Sequence, residues 1–237
     1  VQPEALRAAL RGQVPLFETL PEAALEEVLN RGRRERCAAE RVLFHQGDPA
    51  EAIFLLLAGR LKVTQTSTEG QQVIVRYLGA REVAGCVAVC GGIPYPATAT
   101  AVEDTWLLLW PREVLADLSG RWPAIALNAM RIMGGRTKEL QDRLRELHSE
   151  RAERRIARTL ARLVVQAGRR TSQGIEIDFP LSRQDLAEMV GTTLHTVSRT
   201  LAAWEGAGLV RGGRRRVTIL APIALAAIAE QSEEASS

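Results

Sequence analysis

No run of about 18 consecutive apolar residues occurs in the sequence, so no membrane-spanning helix is expected. No secretory leader is visible either. Cysteine is scarce. Cys37, Cys86 and Cys90 are the three, an odd number without the spacing of a disulfide framework, which suits a reducing cytoplasm. Lysine is nearly missing: of 31 basic residues only Lys62 and Lys138 are not arginine. The three histidines, His45, His148 and His195, form no pair with metal-ligand spacing. There is no G-x-S-x-G elbow and no phosphate-binding P-loop, so no catalytic constellation and no metal site is expected. What remains is an ordinary globular composition, 46% hydrophobic and 25% charged over 237 residues. That length allows one large or two modest domains. A net charge of +3 with a pI near 9.1 permits a nucleic-acid partner without requiring one.

The most informative stretch begins at Ser182. Ser182 followed by Asp185 is a capping box, in which the hydroxyl accepts a helical N–H and the carboxylate reaches back. Leu186, Met189 and Val190 continue at helical spacing, and Gly191 supplies a turn glycine. Thr192 or Thr193 can cap a second helix with a buried stripe of Val197, Leu201 and Trp204. That stripe leaves Leu194, His195, Ser198 and Arg199 outward, the pattern of a helix-turn-helix. Gly206 to Gly208 ends the helix. Leu209-Val210 starts a strand, Gly212-Gly213 is expected to turn it, and Val217 to Leu220 returns. Arg211, Arg214, Arg215 and Arg216 decorate this hairpin, where guanidinium groups suit phosphate oxygens. The expected DNA contacts are Ser182, Arg183, Gln184, Thr192, Thr193, Leu194, His195, Thr196, Ser198 and Arg199, with Arg214, Arg215 and Arg216 on the wing.

Upstream, residues 1 to 32 read as short helices punctuated by Pro15 and Pro21. From Cys37 to Pro111 short strands alternate with turns, including a strand over Ile53 to Leu57, as in a small antiparallel roll. Glu113 to Leu118 reads as a short helix. A long helix follows from about Trp122 to Glu150. On it Met130, Met133, Thr137, Leu140, Leu144 and Leu147 recur at alternating 3 and 4 spacing, a two-stranded seam that predicts a homodimer. Ile156, Leu160, Leu163 and Val164 begin another helix ending near Gly168. Arg169 to Gly174 reads as a polar loop, Ile175 to Phe179 as a strand, and the tail from Pro222 as an Ala-rich helix. The fold class is α+β: a sensory β-roll over 1–121, a dimerisation helix over 122–150, and a winged helix-turn-helix over 151–237.

Three segments, LFHQGDPAEAIFLLLAGRLKV, ERAERRIARTL and DLAEMVGTTLHTVSRTL, resemble the cyclic-AMP receptor / fumarate-nitrate regulator (CRP/FNR) superfamily of bacterial transcription regulators. The roll segment YPATATAVEDTWLLLW looks closer to the fumarate-nitrate and nitric-oxide-responsive branches. The resemblance implies a cytoplasmic homodimer that binds promoter DNA, works with RNA polymerase and is switched from the roll. A dimeric ligand-binding adaptor that does not act through DNA is the alternative. Arg199 matches the recognition-helix arginine and Ser198 the serine of the fumarate-nitrate branch. His195 stands where both well-known branches carry Glu.

The cyclic-AMP branch holds its ligand with a Gly-Glu pair and an Arg-Ser or Arg-Thr pair. Here Gly85 is followed by Cys86, Tyr95-Pro96-Ala97 offers neither Arg nor Ser, and no Lys or Arg occurs from Glu82 to Pro111. A buried cyclic phosphate would lack a cationic partner, so cyclic AMP is not expected. A four-cysteine iron–sulfur cluster is not expected from three cysteines. Haem stays open, with no obvious axial ligand among the histidines. Gly85, Cys86, Cys90, Tyr95, Pro96 and Ala97 mark the expected effector pocket. A redox or gas signal is expected there. Cys86 and Cys90 share a helical face with Cα atoms roughly 6 Å apart, within reach of a strained disulfide. The alternative for the pair is two buried small hydrophobes.

Overall fold

The computed structural model describes residues 10–149 and 151–230; within the long helix the side chains of 143 and 145–149 are not described. The chain forms two compact units, Val1–Leu140 and Gln141–Ser237.

In the first unit, helix α1 (Glu22–Arg31) buries Ala24, Leu25 and Val28. Two four-stranded antiparallel sheets follow. One has the order β1 (Arg33–Cys37), β8 (Thr105–Pro111), β3 (Ala52–Ala58), β6 (Val83–Ala84). The other runs β2 (Val42–Phe44), β7 (Thr98–Ala101), β4 (Leu61–Thr66), β5 (Gln72–Leu78). The apolar run of β3 is buried from Ala52 to Leu56 because it lies between β8 and β6. Trp110 closes the core against the edge of Phe17, ring centroids 5.3 Å apart, and its indole N–H donates to the Val28 carbonyl at 2.7 Å. Between β6 and β7 lies the short helix α2 (Cys86–Gly91). Helix α3 (Arg112–Arg121) is longer at both ends than expected, because Pro111 seats its start and Leu115 and Leu118 bury one full side.

Helix α4 (Ala124–Ser149) starts at Ala124 rather than Trp122, since a residue before proline avoids the helical region. Its residue 150 lies outside the described residues. One side of α4 belongs to the roll: Ile125, Asn128 and Ala129 are buried. The Asn128 amide donates to the Leu16 carbonyl at 3.2 Å and to Thr19 Oγ1 at 3.0 Å. Elsewhere on the same helix Leu127, Met130, Leu140 and Leu144 are exposed, Met130 at 68%. Met133 is half-buried, and Thr137 is exposed with its hydroxyl donating to the Met133 carbonyl. The side chain of Leu147 lies outside the described residues.

The second unit contains α5 (Ala152–Ala167), β9 (Gly168–Thr171), β10 (Gly174–Ile177), α6 (Arg183–Val190), α7 (Leu194–Gly206), β11 (Val210–Gly213), β12 (Arg216–Ile219) and α8 (Pro222–Glu230). Its sheet has the order β11-β12-β10-β9. The polar stretch expected as a loop after Gly168 is instead strand β9, and β10 ends at Ile177 rather than Phe179. A Cβ on Gly168 would lie 2.4 Å from the Val164 carbonyl oxygen, so only glycine lets the chain pass directly from helix to strand. Arg169 then pairs with Glu176 at 2.9 Å and Asp178 at 3.1 Å beside the backbone ladder that joins β9 to β10. This unit contains no lysine. Among the described residues no helix is long and apolar enough to cross a membrane.

Candidate nucleic-acid interface and sensory roll

The helix pair is built from local hydrogen bonds. Ser182 Oγ accepts from the Asp185 N–H at 3.0 Å, and Asp185 Oδ2 accepts from the Ser182 N–H at 2.9 Å, completing the capping box of α6. Gly191 ends α6 in the left-handed region at φ 68°, where glycine carries no Cβ penalty. Thr193, not Thr192, caps α7 by accepting from the Thr196 N–H at 3.1 Å. Val197, Leu201 and Trp204 bury the inner face, and the Trp204 indole donates to Glu153 of α5 at 3.0 Å. On the outer face Leu194, His195 and Arg199 are exposed, while Thr192, Thr196 and Ser198 are half-buried.

The wing differs from the expected one in its turn. Gly212 and Gly213 lie in β11, and Gly213 pairs with Arg216, so Arg214 and Arg215 form the tip. Arg215 takes the left-handed conformation at φ 57°. A Cβ on Gly212 would sit 2.2 Å from Glu205 Oε1, the movable end of a side chain 35% exposed. The tip is tied to the start of the helix pair by the Leu181 N–H donating to the Arg215 carbonyl at 2.9 Å. Arg214, Arg215 and Arg216 are all exposed, and Arg216 lies 3.6 Å from Glu176. Other candidates are engaged within the unit. Gln184 donates to Glu188 at 3.0 Å, Arg183 pairs with Glu205 at 3.4 Å, and the Ser182 and Thr193 hydroxyls serve as caps. His195 and Arg199, one helical turn apart, and the three wing arginines form the polar face left for a ligand.

In the roll, Gly85 holds φ 80°, and a Cβ there would lie 2.8 Å from the Ala52 carbonyl and 3.1 Å from the Tyr95 ring. Tyr95 is buried, donates to the Ala52 carbonyl at 2.6 Å, accepts from the Ala52 N–H at 3.1 Å and stacks on Phe44 at 3.9 Å. Its hydroxyl is therefore a clamp on β3. Burial pushes its pKa up. Pro96 is exposed and its carbonyl accepts from Gln65, while Ala97 is buried. Cys86 is buried and Cys90 exposed, with their sulfurs 3.9 Å apart.

One residue escapes sequence reasoning. Register places Arg76 of β5 opposite Val63, itself opposite Ala99, so Arg76 shares the core-facing side of that sheet. Its side chain is only 16% exposed, and it pairs with Glu82, whose other oxygen accepts from the Gly79 N–H at 2.9 Å. Arg76 Nε and Nη1 are buried without a hydrogen-bond partner. The stretch from Glu82 to Pro111 carries no Lys or Arg, and β5 places Arg76 against its first residue. Separation in sequence hides it, and only the strand register reveals it.

Comparison with known proteins gives the same architecture. Residues 34–121 match the cyclic nucleotide-binding domain, and residues 154–228 match the Crp-like helix-turn-helix domain. The chain is 31% identical over 205 residues to the Cyclic AMP receptor protein of Thermus thermophilus, covering 86% of this chain and 92% of that relative. It is 29% identical over 212 residues to the Fumarate and nitrate reduction regulatory protein of Salmonella typhi, covering 89% and 84%. The solved structure of FixK2 from Bradyrhizobium japonicum matches with a TM-score of 0.74 at 20% identity, covering 85% of this chain and 98% of that one, a likeness of fold. Both branches are represented among the relatives at similar identity. With an N-terminal roll, a C-terminal winged helix-turn-helix and such a relative matched over nearly its whole length, the chain belongs to the CRP/FNR family of DNA-binding transcription regulators, which are not enzymes.

Proposed function

We propose that the protein acts as a homodimer on paired half-sites in promoter DNA, in the cytoplasm and together with RNA polymerase, with α7 in the major groove and the wing on the phosphates. The observation that carries this reading is the exposed pair His195 and Arg199 on a helix whose opposite face is fully buried. Arg199 can donate to guanine O6 and N7, fixing one guanine per half-site. Neutral His195 offers one donor and one acceptor where the two well-known branches present a carboxylate, so the adjoining base pair should differ from theirs. Ser198, Thr192, Leu194 and Thr196 line the same helix start. Arg183, Gln184 and the capping residues Ser182 and Thr193 lie where backbone phosphates would pass. Selection of binding sites from random DNA tests the reading. Wild type and His195→Glu should select half-sites that share the guanine and differ at one neighbouring position. Identical selections would remove His195 from base readout.

The roll supplies the switch, and its signal is redox or gaseous rather than cyclic AMP. The Thermus relative is named for cyclic AMP. In this chain, however, α2 begins with Cys86 where that branch has a carboxylate, and Tyr95 is spent on Ala52. Titration calorimetry with cyclic AMP should show no heat of binding, and micromolar affinity would overturn this part of the reading. Haem is the alternative carrier of a gas signal.

A further inference from the structure

We propose that Cys86 and Cys90 form a peroxide-reactive dithiol in which Cys90 is the attacking sulfur and Cys86 the resolving one. The inference deepens the redox reading of the roll and rests on it for its effect on DNA; the sulfur chemistry itself rests on geometry.

The two Sγ atoms lie 3.9 Å apart on α2. A disulfide requires about 2.05 Å, so they must close by about 1.9 Å. The element that carries them suits such a movement. It is six residues long, and Gly85 and Gly92 flank it in left-handed conformations, φ 80° and 66°. Such ends leave a short helix bounded by the two residues that tolerate backbone rearrangement best.

Access sets the order of events. Cys90 is exposed, whereas Cys86 is 4% exposed and packs among the core residues of the roll. A dissolved oxidant therefore meets Cys90. The hydrogen bond from the Cys86 thiol holds the Cys90 pKa below that of an ordinary thiol, and the same bond together with burial raises that of Cys86. Exposure thus makes Cys90 the sulfur that meets the oxidant, with Cys86 beside it to resolve.

The chemistry balances with a hydroperoxide as oxidant. The Cys90 thiolate attacks the terminal peroxide oxygen, the O–O bond breaks, and the leaving alkoxide takes a proton to become an alcohol. Cys90 is now a sulfenic acid. The Cys86 sulfur attacks the Cys90 sulfur, the S–O bond breaks, and the departing hydroxide leaves as water with the Cys86 proton. Two thiols have lost two electrons, which reduce one peroxide to an alcohol and water. Cys37 stands apart: it is buried, desolvation raises its pKa, and its thiol meets the Arg41 carbonyl at 3.6 Å. The consequence for the roll begins at Gly85, set so close that a Cβ there would lie 2.8 Å from the Ala52 carbonyl and 3.1 Å from the Tyr95 ring. Drawing Cys86 toward Cys90 strains that contact.

The test uses the full chain, reduced and then exposed to hydrogen peroxide. Free thiols should fall from three to one, and peptide mass should locate a Cys86–Cys90 disulfide within one chain. Cys86→Ser should trap a sulfenic acid on Cys90 that dimedone labels, whereas Cys90→Ser should leave Cys86 unmodified. Three thiols surviving in the wild type, a Cys90 link between two chains, or equal oxidation of Cys86 in Cys90→Ser would each overturn the proposal. Gel shifts with the selected operator separate the chemistry from its use. If the disulfide forms and operator affinity is unchanged, the dithiol stands and the redox reading of the roll falls.

Discussion

Arg199 and Arg214 are both exposed guanidinium groups, and they should fail differently. On α7, Arg199 faces base edges in the proposed complex, so Arg199→Ala should cost about 1–3 kcal/mol of discrimination at its guanine. Arg214 sits at the wing tip, and Arg214→Ala should weaken every DNA sequence alike and flatten the salt dependence. Competition gel shifts with single-base operator variants distinguish the two; equal losses on all sequences for both variants would deny Arg199 a base. At this scale the sequence is legible where partners lie close along the chain. Ser182 and Asp185 are three residues apart, so capping chemistry alone locates them, whereas it leaves Thr192 and Thr193 equal and only the structure gives the cap to Thr193. Gly212 reads as a turn residue in sequence and is not one, because the ladder of β11 with β12 runs on to Gly213 and Arg216. Arg76 is hidden for the same cause, since its burial follows from pairing with β4.

Among the elements, α4 carries the proposed dimer. Met130, Leu140 and Leu144 are too exposed for a helix that finished packing within its own chain, and a partner helix would cover them. Leu140→Glu with Leu144→Glu would place carboxylates in that seam. The variant should run as a monomer in light scattering and lose operator binding; a dimer that survives would move the interface elsewhere. The 3 and 4 spacing makes this stripe readable from the amino acids alone. Leu127 does not join it in sequence, because it lies off the strict repeat and shows itself only once Ile125 and Ala129 are seen buried against the roll. Strand β9 is illegible for the opposite reason. Its sequence GRRT has no apolar alternation, and the backbone ladder with β10, from Gly168–Ile177 to Thr171–Gly174, makes it a strand.

For the whole molecule, composition bears on control as well as on fold. Every basic side chain from Gln141 to Ser237 is arginine or histidine, and both lysines lie in the other unit. Arginine keeps its proton at any pH a cell reaches, so the guanidinium groups of α7 and the wing stay charged. Acylation of lysine, a common means of weakening protein–DNA contacts, finds no side chain to modify in this unit. Control of the charge on this unit by that route is closed.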